Sequence, residues 1–296
     1  MHRATKLVAL GAAAAFLAAC SGTGSSPSLP STQTNNTGST AHSTYPRSEI
    51  GSDGHVIVYF YNKQIETSGL VSHGNNTGMR TPQAIITGLM TSHGGPIQTA
   101  PKIYIDLWGN WSSSADPNGV AAYYQNFISG VGGSQWLSSV TQYTQPDGQH
   151  VGNAAGSYVG TWNDTANKIP RLTSGSYQNS LAAEAQRAAA HFGDYSASAS
   201  YIILIPHGVS VNGFGTRYCA WHSSTSASGG TIAYTNLPYI PDAGSSCGVG
   251  SVNTPGTDDG VSIVGGHEQG ETETDPQPNT GWLDSGGNEN GDKCAW

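Results

Sequence analysis

The sequence predicts an α/β fold, with α+β as the alternative, in one globular domain over residues 53–296. Three observations lead there. Residues 181–192 form an Ala-rich helical stretch followed by Gly193, and residues 201–205 (Tyr-Ile-Ile-Leu-Ile) come next as a strand of the fully buried type. Two further runs, residues 55–61 and 102–108, are rich in β-branched and aromatic residues. Roughly 240 residues suffice for one sizeable core or two small ones.

The elements follow in order. Residues 55–61 (His-Val-Ile-Val-Tyr-Phe-Tyr) read as a strand, and residues 62–101 as loop ending in Gly94-Gly95-Pro96. Residues 102–108 (Lys-Ile-Tyr-Ile-Asp-Leu-Trp) are a stronger strand, stopped by Gly109-Asn110. Asp116-Pro117 starts a helix in which Val120, Tyr123, Tyr124, Phe127 and Ile128 recur at helical spacing. Residues 136–143 are short and amphipathic, and residues 145–175 irregular with a strand at 157–159. The helix at 181–192 takes Gly193 as its C-cap, and Pro206 ends the strand at 201–205. A further strand falls within residues 231–239. Val261-Ser262-Ile263-Val264 is the apolar start of a last helix. Asp275-Pro276 breaks it, because a residue preceding proline avoids the helical region.

Residues 1–19 stand apart from the fold. His2, Arg3 and Lys6 make a basic start, and residues 7–19 are apolar but too short to span a bilayer. The stretch ends in Leu17-Ala18-Ala19-Cys20, which resembles a bacterial lipobox. That resemblance implies cleavage before Cys20, lipid on its thiol and a membrane anchor; an ordinary secretory leader is the alternative. Either way the chain is expected to be exported, where disulfides form. Residues 20–52 are Ser/Thr/Gly-rich with almost no apolar content, as in a disordered tether. A net charge of −8 without basic clusters argues against nucleic acid as a partner. With Cys20 set aside, Cys219 and Cys247 flank a Ser/Gly-rich loop and are expected to pair. Cys294 is left without a partner, which fits a free thiol or a chain truncated at its C-terminus.

The chemistry concentrates near the C-terminus. Only 10% of the residues are charged, yet His267, Glu268, Glu271, Asp275, Glu289 and Asp292 fall close together in sequence. His-Glu-x-x-Glu is one letter from the His-Glu-x-x-His zinc motif. On a helix, residues i and i+4 share a face, so His267 and Glu271 can grip one Zn²⁺. Glu289, Asp292 or Asp275 would supply a third ligand. Glu268, next to the first ligand, would lie beside the metal-bound water as general base. Acids complementing a helix dipole would give the same string without a metal. Asp275, Asp284, Glu289 and Asp292 are hard oxygen donors that also suit Ca²⁺, although their spacing is not that of an EF-hand. His222, three residues after Cys219, reads chiefly as a solvated loop histidine, with a metal role as the alternative, and His207 is similar. His73, His93 and His150 sit in polar stretches with no visible partner. The tryptophans fit core packing better than sugar stacking. No Gly-x-Ser-x-Gly elbow stands at a strand-to-helix turn, which argues against a serine hydrolase of that type.

Three ordered blocks resemble the EXORDIUM or phosphate-induced protein family. They are Gly94-Gly95-Pro96 with Leu107-Trp108-Gly109; residues 201–205 with residues 209–214 and Cys219-x-x-His222; and His267-Glu268-x-x-Glu271-x-x-Thr274-Asp275-Pro276 with Trp282 and Glu289-x-x-Asp292-x-Cys294. The resemblance implies a secreted protein associated with cell-wall growth and phosphate response, without a settled activity. Its His-Glu-x-x-Glu helix is similar to that of zinc peptidases, which implies a zincin-like C-terminal half. Gly270 departs from the pattern, where a small apolar residue such as alanine is expected. Two functions follow as expectations. One is an exported lipoprotein acting as a metal-dependent, zinc peptidase-like hydrolase on peptide or cell-wall polymer. The other is a non-catalytic cell-surface protein that binds wall polysaccharide, with the acidic cluster structural or holding calcium.

Overall fold

The computed structural model describes residues 45–68, 71–72 and 88–296. The expected leader, the expected lipid site at Cys20, most of the expected tether and His73 lie outside the described residues, as does the side chain of Cys294. The strands are β1 (Tyr45–Pro46), β2 (Ser48–Ile50), β3 (Val56–Tyr61), β4 (Val71–Ser72), β5 (Thr91–Ser92), β6 (Lys102–Trp108), β7 (Tyr158–Asp164), β8 (Ala199–Leu204), β9 (Tyr218–Ala227), β10 (Gly230–Leu237) and β11 (Trp282–Leu283). The helices are α1 (Lys63–Thr67), α2 (Val120–Ser129), α3 (Tyr177–Phe192) and α4 (Asp259–Thr274). Among the described residues, no helix is long and apolar enough to cross a membrane.

The fold is mixed α/β, built on a seven-stranded sheet in the order β2-β3-β9-β10-β8-β6-β7. β10, β8, β6 and β7 are parallel, while β9 runs antiparallel between β3 and β10. Parallel neighbours need crossover connections, and α2 and α3 provide them, one between β6 and β7, the other between β7 and β8. The two helices cover opposite faces. Tyr104, Tyr201, Ile203 and Trp221 pack under α3 in one core. Ile103, Ile105, Ile202, Leu204 and Ala220 point the other way and pack under α2 and α4. This period-two alternation makes three layers from one sheet.

Local chemistry sets the ends of the helices. The helix begins at Val120 after an N-cap at Gly119, later than the expected start at Asp116-Pro117, and Asp116 accepts hydrogen bonds from the Val120 and Ala121 amides at 2.7 and 3.2 Å from just before it. α3 ends at Gly193, which takes a left-handed φ of 68°. α4 ends at Thr274, before Pro276. Gly265 in α4 has a packing reason. A Cβ there would stand 2.4 Å from the Tyr124 ring of α2, so the bare backbone lets the two helices close up.

Three sequence expectations need correction. The ordered domain begins before residue 53: β2 pairs with β3, and Arg47 is buried. Its guanidinium is held by Glu66 and Asp292, a pairing that local composition cannot reveal. Residues 62–101 include α1 and the short strands β4 and β5 rather than loop alone. β9 stood unread because residues 218–225 are buried on both faces and show no apolar alternation.

Candidate metal centre

β9 and α4 meet on the α2 side of the sheet and bring the chemistry together. Ala220 faces this layer, so His222, two residues on, faces it too. His222 is thus a buried strand residue, 0% exposed, and not a solvated loop histidine. The Cys219–Cys247 disulfide anchors β9 three residues before it.

From α4, Glu268 and Glu271 project onto the imidazole. Nδ1 of His222 lies 3.0 Å from Oε2 of Glu268 and 3.7 Å from Oε2 of Glu271. Nε2 on the opposite edge lies 3.4 Å from Oε2 of Glu289. One helical turn back, Nε2 of His267 lies 2.9 Å from Oε1 of Glu271 and 3.9 Å from Oδ1 of Asp292. Donor atoms of His222, Glu268 and Glu271 lie within 4.8 Å of one another, and so do those of His267, Glu271 and Asp292. Either group could hold a metal ion.

Burial makes these contacts informative. His222, Glu268, Glu271 and Glu289 are 0% exposed, Asp292 3% and His267 9%. Yet Nε2 of His222, Nε2 of His267, Oε1 of Glu268, Oε2 of Glu271 and both carboxylate oxygens of Glu289 have no hydrogen-bond partner, while Oδ1 of Asp292 meets only the Arg47 guanidinium at 2.8 Å. Buried polar atoms are normally satisfied, and each exception costs about 1–3 kcal/mol. The 2.9 Å approach of His267 to Glu271 lacks hydrogen-bond geometry. The two atoms meet side by side, as donors converging on a common cation do. One imidazole nitrogen with carboxylate oxygens is a donor set for zinc and for harder divalent ions.

The electrostatics of the ion-free chain agree. Burial alone would depress the His222 imidazole, but the negative charge of Glu289 and the Glu268 contact lift its pKa well above the ordinary value. The same opposition, won by Glu271, pushes His267 up to about 9. Burial raises Glu268 and Glu289 above the ordinary carboxylate range. Asp292 is also raised by burial, to about 7, against the pull of Arg47. Glu271, despite its burial, is held low by His267. A divalent cation would relieve the crowding of negative charge that these shifts record.

The predicted residues separate into roles. His267, Glu271 and Asp292 come together, while Glu289 stands across His222 from Glu268. Asp275 belongs to neither group. Its carboxylate accepts from the backbone amides of Asn279, Thr280 and Gly281 and closes the loop after α4. Asp284 is engaged by Lys293 and by the amides of Gly286 and Asn288, so the four acids of the calcium reading do not gather around one point. Gly291 closes the centre, since a Cβ there would stand 2.7 Å from Nδ1 of His267 and 2.9 Å from Oε1 of Glu271. The Asp292 amide donates to Oε1 of Glu271 at 3.1 Å.

Arg47 and Glu66 escaped the sequence reading, and His222 entered it with a metal role only as the alternative to a solvated loop position. For His222 a signal existed in Cys219-x-x-His222, since a disulfide fixes whatever follows it. Arg47 and Glu66 carry no local pattern. Phe60 stacks on His267 at 4.0 Å between ring centroids, and Trp296 stacks on Phe60 at 5.1 Å. Comparison with protein families, with curated proteins and with solved structures finds no match.

Proposed function

We propose that this chain is an exported metal-dependent hydrolase acting on peptide or cell-wall polymer. The convergence of His222, Glu268 and Glu271 supports this most. They are three buried donors around one point, two of them on the helix that carries the His-Glu-x-x-Glu string. A hydrolytic site takes about three protein ligands and keeps one position for water. The bound ion would supply a water of lowered pKa, available as hydroxide near neutral pH. Glu268 stands here with the ligands, because its Oε2 faces the same imidazole edge as Glu271. Glu289 faces the opposite nitrogen at 3.4 Å, where its negative charge would favour the ring in this place. The likeness of the His-Glu-x-x-Glu string to the zinc-peptidase motif supports the same reading.

The test is to strip the purified protein with a chelator, reload it with Zn²⁺ and screen it on peptide and polysaccharide substrates. Hydrolysis that returns with zinc and disappears in Glu268→Gln and Glu271→Ala is the expected result. A zinc-loaded protein that cleaves nothing in the screen overturns it.

A second reading has its own observation. His222, Glu268, Glu271 and Glu289 are fully enclosed, which suits an ion that pins α4 to the sheet of a surface protein without turnover. A calcium- or zinc-dependent rise in Tm without hydrolysis would favour that reading.

A further inference from the structure

We propose that the centre is built for two divalent ions bridged by Glu271, a proposal that rests on the metal-centre reading above. The two oxygens of Glu271 serve different groups. Oε1 lies 2.9 Å from His267 and accepts the Asp292 amide, whereas Oε2 turns to His222. Each group therefore has its own imidazole and its own second carboxylate: Glu268 beside His222, Asp292 beside His267. The two groups share Glu271 alone.

Each side carries the mark of a ligand position. On one side Nε2 of His267 is buried without a hydrogen-bond partner, and Oδ1 of Asp292 stands 3.9 Å from it with Arg47 behind at 2.8 Å. On the other, Oε1 of Glu268 and Oε2 of Glu271 are buried without a hydrogen-bond partner. One ion in either group leaves the atoms of the other unsatisfied.

The local excess of acids also favours bound cations. Glu66, Glu268, Glu271, Glu289 and Asp292 are all buried, and Arg47 ion-pairs with two of them. Acids here outnumber the one buried arginine, an excess that bound cations would offset. Uncompensated charge away from water is what folded proteins avoid most strongly. Carboxylate-bridged pairs of ions, about 3.5–4 Å apart, serve hydrolases by holding the attacking and the leaving oxygen together.

The experiment titrates the chelator-stripped full chain with Zn²⁺ alone and measures bound metal per chain after gel filtration. Two zinc ions per chain are expected. His222→Ala and His267→Ala should each retain one, and both variants are checked for folding by circular dichroism. In a parallel Mn²⁺-loaded sample, electron paramagnetic resonance should show exchange coupling in wild type that either variant abolishes. The wild-type count needs no variant, so the proposal stays refutable if either substitution prevents folding. One ion at saturation overturns the bridged pair and leaves the metal centre standing. No bound ion removes both. Two ions without hydrolysis of any tested substrate leave the pair intact and remove the hydrolase.

Discussion

Removing the imidazole of His222 should cost the protein both its metal and much of its stability. The side chain is 0% exposed and stands between Glu268 at 3.0 Å and Glu289 at 3.4 Å. His222→Ala would leave both carboxylates buried and facing a void. Breaking a buried ionic contact by deleting one partner costs about 3–5 kcal/mol. For a domain near 250 residues, each kcal/mol moves Tm by about 2–4 °C. The expected fall is therefore on the order of 6–20 °C, measured in chelator by differential scanning calorimetry so that metal linkage does not enter. With zinc added, wild type should gain about 4 kcal/mol at a thousandfold excess over Kd, and the variant distinctly less. Adding Glu289→Gln to His222→Ala should recover part of the loss, since one of the stranded charges is gone. A variant that melts within 2 °C of wild type in chelator (roughly 1 kcal/mol or less) would refute the account of His222 as the centre's charge partner.

Three other expectations follow from the packing. Gly265→Ala improves intrinsic helix propensity but drives a methyl to 2.4 Å from the Tyr124 ring, so urea denaturation should show a net loss of about 1–3 kcal/mol. Reducing the Cys219–Cys247 bridge, which closes a loop with a sequence separation of 28, should lower stability by about 3–4 kcal/mol in a denaturant titration, and an unchanged midpoint would sink this estimate. Asp106 is fully buried, and burial together with the neighbouring Glu184 raises its pKa well above the usual carboxylate range. A raised pKa means that the folded chain holds the proton longer. This contribution to stability is complete below the unfolded value of about 4 and is lost as pH climbs above it. Asp106→Asn should flatten the fall of Tm between pH 5 and 9, and an unaltered slope (of up to about 1.4 kcal/mol per pH unit for one proton) would contradict the assignment.

What the sequence disclosed depended on whether a segment had one kind of neighbour or several. The strands at residues 102–108 and 201–205 announce themselves because mostly apolar neighbours select β-branched and aromatic side chains, Asp106 beside Glu184 being an exception. α3 is legible from alanine content and its glycine cap. β9 is not, because Ser223, Ser224 and Thr225 are buried beside His222 in a central strand, where composition usually signals a surface turn. α4 was legible at both ends, in the apolar run and in Asp275-Pro276, but residues 267–275 are buried almost all round. A helix that hides polar residues on every side has no amphipathic face to read. The His267–Glu271 pairing could be read because helical periodicity delivers it. The pairing with His222, and the embrace of Asp292 by Arg47, come from tertiary contacts that no local rule encodes.

The ion pair between Arg47 and Asp292 joins positions 245 apart (292 − 47). Contacts of such high contact order form late, because the entropy of closing so long a loop must be met before the contact stabilises anything. α4 and the turn carrying Glu289 and Asp292 can therefore settle only after the sheet beneath them exists. In a refolding time course, secondary structure should appear before tight cation affinity. If the centre holds an ion as proposed, metal uptake would then act as a clock for the last stage of maturation, following the sheet rather than leading it.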